Sequence, residues 1–237
     1  MHPLQIRSKD SWTAQAFPDS HMRSHVPTTV LGAAFTMAVF VMGAVSVAGA
    51  ATESDPVTLV QNTVNQAVEV LKDHQMPASA RRGKLIQVVA PHFDFTEMAR
   101  SSLGEHWRNL TPAQRQKFVP LYTAFMEDVY LNKLQGYSGE KIDFLNQASD
   151  GPGYSEVRTR VVQTNGAEPI RVDYRLEQQG GDWKVYDVMV DGISITANYR
   201  NQFNRVINNE GFDSLVSKMQ SKQQELAASL GNSKASD

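Results

Sequence analysis

The spacing of apolar positions changes twice along the chain. From residue 55 to about 134 apolar side chains recur every three or four residues, from about 141 to 190 they alternate with polar ones, and after 195 the helical spacing returns. The first stretch predicts four helices. Asp55-Pro56 reads as an N-cap followed by a proline at the first helical position, and Val57, Val60, Val64, Ala67, Val68 and Leu71 continue an amphipathic helix that ends between His74 and Pro77. A shorter helix is expected over 81–89, with Leu85, Ile86, Val88 and Val89 apolar and Pro91 as its stop. Asp94, with Glu97 three residues on, opens a third whose stripe is Phe95, Met98, Ala99 and Leu103. Thr111-Pro112-Ala113-Gln114 is a capping box that opens the longest helix, expected to run to about residue 134 with Phe118, Leu121, Tyr122, Phe125, Met126 and Val129 on its apolar face. Pro120 lacks a backbone donor and crowds the preceding turn, so a kink is expected there.

The second stretch predicts strands. Residues 141–145 form a short candidate, and 155–163 alternates with Val157, Thr159 and Val161 on one face. Asn165-Gly166 follows and predicts a type I′ hairpin, since both central residues of that turn need positive φ. Its register sets Val161 against Ile170, Thr159 against Val172 and Val157 against Tyr174, an apolar face. On the other face it sets Arg158 against Asp173 and Glu156 against Arg175, opposite charges where a solvated face wants them, with Arg160 against Arg171 a like-charge pair near the tip. Residues 183–190 carry apolar side chains on both parities, so that strand is either covered on both faces or bulged near Asp187. Two helices close the chain, one over 195–208 with Tyr199, Phe203, Val206 and Ile207 on one side and Gly211 at its end, the other capped by Asp213 with Leu215, Val216, Met219 and Leu226 inward. Helices, an antiparallel sheet and helices again define an α+β chain with one sheet face covered.

Ahead of this domain lies an apolar run over 30–51 that ends in Ala48-Gly49-Ala50, the small-x-small pattern of a signal-peptide cleavage site. A run of this length can also span a bilayer, but its glycines and alanines suit a cleavable segment and no basic stop-transfer cluster follows. The chain has no cysteine, which closes the lipoprotein route and rules out a disulfide staple, so burial alone must hold the fold. Met22-Arg23-Ser24-His25 would make an ordinary basic n-region if translation began at Met22. The organisation expected is a signal peptide over 1–50, one domain over 51–230 and a small polar tail over 231–237. Residues 1–50 hold three of the 23 basic and two of the 25 acidic residues, leaving 20 against 23 and a net charge near −3, which argues against nucleic acid as a partner.

No catalytic or metal-ligand constellation stands out. His74, His92 and His106 have no metal-ligand spacing and read as surface or satisfied residues, and no cofactor is expected. His92 and Asp94 could form an acid–base pair, though a helix cap at Asp94 is the simpler role, and Arg81, Arg82 and Lys84 suit an anionic partner or simply a solvated face.

Several stretches carry a family resemblance: Thr111-Pro112-Ala113-Gln114-Arg115, the Asn165-Gly166 hairpin, Gly181-Asp182-Trp183-Lys184-Val185-Tyr186-Asp187, Asp191-Gly192-Ile193-Ser194 and Asn198-Tyr199-Arg200-Asn201-Gln202-Phe203. In this order, over 54–226, the chain resembles the periplasmic phospholipid-binding proteins of the bacterial Mla lipid-transport system, the MlaC or toluene-tolerance family. The resemblance implies an NTF2-like fold, a twisted antiparallel sheet covered by helices around an apolar cavity. It implies a soluble, monomeric periplasmic carrier that shuttles glycerophospholipid between an outer-membrane lipoprotein complex and an inner-membrane MCE-domain transporter and so maintains outer-membrane lipid asymmetry. Candidate cavity walls are Val157, Val161, Ile170, Val172 and Tyr174 from the sheet, Leu121, Phe125 and Val129 from the long helix, and Tyr199 and Phe203 from the later one. Without the resemblance these side chains would read as ordinary core. The alternative function is an NTF2-like isomerase or lyase acting on a small apolar substrate, in which Asp187 or Asp191 faces inward as a proton-transfer base.

Export carries its own test. The mature chain is expected to begin at Ala51 or within a residue or two of it, as N-terminal sequencing of periplasmic protein would show; a membrane-bound product retaining the apolar run would contradict it.

Overall fold

The computed structural model describes residues 55–134 and 136–233; the apolar run and the cleavage site lie outside them. Asp55 caps helix α1 (Pro56–Lys72), its carboxylate accepting from the Thr58 N–H, and α2 (Ala78–Val89) returns alongside it. A single 3-10 turn (Ala90–His92) leads to α3 (Phe95–Leu103), where the Asp94 carboxylate accepts from the Glu97 N–H at 2.8 Å. That settles Asp94 as a helix cap. A one-turn helix α4 (His106–Asn109), too short to leave a periodic signal, precedes α5 (Pro112–Leu134). The capping box is reciprocal: the Gln114 N–H donates to Thr111 Oγ1 and the Thr111 N–H to Gln114 Oε1. Helix α5 continues through Pro120 as one element.

Strands β1 (Lys141–Ser149), β2 (Tyr154–Val162), β3 (Ile170–Gln179), β4 (Asp182–Val190) and the two-residue β5 (Ile193–Ser194) follow in spatial order as an antiparallel sheet. The β2–β3 register is the expected one, with Val157 opposite Tyr174, Thr159 opposite Val172 and Val161 opposite Ile170. The turn differs. The strands stop at Val162 and Ile170, and of the pair at the tip only Gly166 has positive φ. Pro169 has no N–H to extend the ladder, and Asn165 instead accepts from the Ala167 N–H in an Asx turn. The type I′ geometry occurs at Asp191-Gly192, with φ of 49° and 81°, where β4 folds into β5.

On the outer face the opposed charges partly choose other partners. Glu156 accepts from Arg158 at 2.7 Å and from Arg175 at 3.3 Å, while Asp173 takes Arg171 rather than the Arg158 opposite it. Arg160 turns to Asp143, so the like-charged Arg160 and Arg171 each have a carboxylate of their own. Burial alone would raise the Glu156 carboxyl, but the two guanidiniums outweigh it and hold it below the usual carboxylate range. Strand β4 is bulged: Arg175 faces Asp187 and Leu176 faces Val185, which leaves Tyr186 as the extra residue.

The bulge brings the buried Asp187 to the start of α6 (Ile195–Glu210), where it accepts from the Ser194 hydroxyl at 2.6 Å and from the Thr196 N–H at 3.1 Å. Ser194 in turn caps the helix through the Ala197 N–H. Helix α7 (Phe212–Ser233) begins two residues earlier than expected, so Asp213 sits in its first turn, beside the positive end of the helix dipole, rather than at the cap. Replacing Asp187 by Ala removes a charged acceptor and strands a buried N–H, and should destabilise the fold by about 1.5–3 kcal/mol in denaturant titrations. A smaller effect would mean that α6 is held by its packing alone.

Candidate functional site

The apolar interior is divided. One cluster belongs to α3, α5, α6 and α7 and is dense with rings: Phe118, Tyr122, Phe125, Tyr199 and Phe203 are almost wholly buried and meet edge-on or tilted at centroid distances of 5.4–6.4 Å. The second belongs to α1 and the inner sheet face, with Val60, Val157, Leu176, Val185 and Val188 at its centre. A third, small cluster joins α1 and α2 to α5 through Ala67, Leu71, Leu85 and Leu131. Phe93 and Ile195 pack against both of the larger clusters and link them. Helix α5 approaches α7, α3 and α2 more closely than it approaches any strand.

Both the sheet and α5 carry apolar side chains that are incompletely buried. From the sheet come Phe144, Val161, Val172, Tyr174 and Val190, and from α5 come Leu121, Val129 and Tyr130, all half-buried. Val172, Tyr174, Val190 and Phe144 pack on the edge of the sheet cluster; Leu121, Val129 and Tyr130 pack on the helical one. Apolar surface left unfilled in an interior is what a receptacle for apolar cargo requires.

The expected wall residues divide along the same line. Leu121, Val129, Val161, Val172 and Tyr174 keep accessible surface. Ile170 is buried at the end of β3, and Val157, Phe125, Tyr199 and Phe203 are almost wholly enclosed, the last three behind the α5 surface within the ring cluster. Sequence reasoning missed Phe144, Tyr130 and Val190. Register could have found Phe144 and Val190, which stand opposite Thr159 and Val172. Tyr130 follows Val129 off the main stripe, and only the coordinates reveal that its hydroxyl is hydrogen-bonded to Tyr199.

Polar groups are sparse here and mostly engaged. Tyr122 bonds Ser102 at 3.0 Å, and burial raises its phenol well above the ordinary value. Burial likewise pushes Tyr130 up to about 12, and its ring carries the Lys133 ammonium at 5.5 Å, an ammonium whose own pKa burial lowers. Asp187, one candidate base, spends its oxygens on Ser194, Thr196 and the Val188 N–H. Asp191, in the turn after β4, accepts from the Arg171 N–H on β3. Among the described residues no cluster of three potential metal ligands occurs. An open pocket of about 530 Å³ lies elsewhere, between α3, α5 and the β3–β4 hairpin, but Asp94, Thr96, Thr123, Gln179 and Lys184 in its lining would leave an acyl chain wet.

Helices packed with a five-stranded antiparallel sheet make an α+β architecture of the NTF2-like kind. The chain belongs to the MlaC protein family, whose model matches residues 61–221. It is 26% identical over 194 residues to the intermembrane phospholipid transport system binding protein MlaC of Haemophilus influenzae, covering 78% of this chain and 91% of that one. It is 29% identical over 163 residues to the toluene tolerance protein ttg2D of Pseudomonas putida, covering 67% of this chain and 75% of the other. The phospholipid-binding protein from Ralstonia solanacearum, solved in complex with a phospholipid, superposes with a TM-score of 0.66 at 26% identity, over 73% of this chain and 99% of that one.

The division between core and cleft is measurable. Phe203→Ala should cost about 3–5 kcal/mol of stability, whereas Val172→Ala, at a wall that already faces space, should cost less than about 1.5 kcal/mol in the lipid-free protein. Equal losses would mean that the cleft is filled by protein.

Proposed function

We propose that this protein is a periplasmic phospholipid carrier whose cleft between the sheet and α5 receives the acyl chains of a glycerophospholipid. The observation that carries this reading is the set of half-buried apolar side chains on the sheet and on α5, in a family whose Ralstonia solanacearum relative was solved with a phospholipid bound. Two chains of roughly sixteen carbons carry on the order of 30 methylenes, and at about 0.8 kcal/mol each their exposure to water would cost roughly 25 kcal/mol. A carrier has to enclose most of that surface and leave the charged head group at the mouth, where it keeps its water. Val172, Tyr174, Val190 and Phe144 would line the sheet side, Leu121 and Val129 the helix side; Phe125, Tyr199 and Phe203 support that wall from behind.

The carrier would collect lipid at one membrane complex and release it at another, an outer-membrane lipoprotein complex and an inner-membrane MCE-domain transporter being the expected stations. Transport, not turnover, fits the engaged carboxylates. A general base needs a free lone pair within reach of substrate, and Asp187 already holds the start of α6.

Loading the protein with labelled phospholipid and offering it acceptor vesicles should return the molecule chemically intact. Val172→Trp, which puts an indole into the cleft, should reduce lipid occupancy several-fold while the lipid-free protein keeps its melting temperature. Packed core would instead be destabilised by about 1–3 kcal/mol. Hydrolysed or isomerised lipid, with product lost in Asp187→Asn, would replace the carrier by an enzyme.

A further inference from the structure

Tyr174 stands in the middle of the inner sheet face, opposite Val157 on one side and Val188 on the other, both buried. Its ring packs on the sheet cluster, yet the residue keeps accessible surface although protein surrounds it. A side chain in that position has part of its surface uncovered by protein. Among the described residues its hydroxyl has no hydrogen-bond partner, unlike the buried hydroxyl of Tyr122, which meets Ser102, and that of Tyr130, which meets Tyr199. The hydroxyl oxygen is not among the buried atoms that lack a partner, so it keeps accessible surface and an incoming group can reach it.

The surroundings restrict what the hydroxyl can meet. Burial alone pushes the Tyr174 phenol up to about 12, with no charged side chain contributing. A phosphate would arrive there without a counter-charge, which is costly in an apolar setting. An uncharged acceptor suits the site, and the cargo of the proposed carrier has one at the root of each tail. Resting on that reading, we propose that the Tyr174 hydroxyl donates a hydrogen bond to a carboxylic-ester carbonyl of the bound glycerolipid, fixing the depth at which the chains sit and favouring ester-linked over ether-linked lipid. The phenol O–H and the carbonyl oxygen complete each other's hydrogen bonding in a space from which water has been displaced, whereas an alkyl ether offers only a weak acceptor.

The test compares a diacyl phosphatidylglycerol with its dialkyl-ether analogue of equal chain length, bound to the wild-type protein and to Tyr174→Phe. The wild type should bind the diester about three- to ten-fold more tightly, and Tyr174→Phe should lose that preference while its affinity for the diether stays unchanged. Thermal melting of the lipid-free proteins supplies an independent readout: Tyr174→Phe should melt at the same temperature or higher, because no protein hydrogen bond is lost. Equal weakening toward both lipids, an undiminished ester preference in the variant, or a lower melting temperature without lipid would each overturn the proposal. Failure of the wild type to bind either lipid would overturn the carrier reading, and this proposal with it.

Discussion

The carboxylate of Asp187 joins the two layers of this molecule. The helical cluster reaches the sheet chiefly through the start of α6, and that start is held by Asp187, through Ser194 Oγ and the Thr196 N–H, at the bulge in β4. A helix N-terminus carries unsatisfied N–H groups and a partial positive charge, so a buried carboxylate there is both neutralised and useful. The link is made at the edge of the sheet, where β4 pairs with β5. Phe93 adds a second link on the same strand: its backbone bridges to Val185, and the Asp94 N–H donates to the Val185 carbonyl at 2.9 Å. Lys184 adds a hydrogen bond to the Pro91 carbonyl.

Stability and function pull in opposite directions in such a protein. Leaving Val172, Val190 and Phe144 incompletely covered forfeits burial energy that a filled core would supply. The deficit is offset in three places. The first is the aromatic cluster of α3, α5, α6 and α7, where large side chains reach near-complete burial. The second is the α1–α2 pair, clamped to α5 by Leu85 against Leu131 and by the Arg82–Asp128 ion pair at 2.6 Å. The third is the outer sheet face, where arginines pair with carboxylates along and across the strands, although Asp173 Oδ1 is left buried without a partner. With no cysteine in the chain, these contacts do the work that disulfides do in many exported domains.

Much of this was readable before any coordinates. Caps at Asp55, Asp94 and Thr111 are local chemistry, so a few residues predict them, and the alternation of 155–162 with 170–174 sets a register that the side-chain faces enforce. The turn at Asn165 was misread because Pro169 lies outside the four-residue signal, and α4 because one turn has no period. The wall of the cleft was harder for a different reason. Periodicity identifies which face of α5 is apolar, but not whether that face meets another helix or a gap. Phe125 and Val129 share the expected stripe, yet one is sealed among Tyr199 and Phe203 while the other keeps accessible surface. That distinction depends on contacts between segments far apart in the sequence, which periodicity does not carry.

Native mass spectrometry of the protein taken from its own cell envelope without detergent, followed by lipid analysis of what is released, bears most directly on the divided core. The account predicts that the protein carries chemically intact glycerophospholipid in stoichiometric amount, and that removing it leaves the fold intact. A protein recovered free of lipid that also refuses it in vesicle exchange would contradict the account, and would mean that the sheet and α5 close on each other in solution.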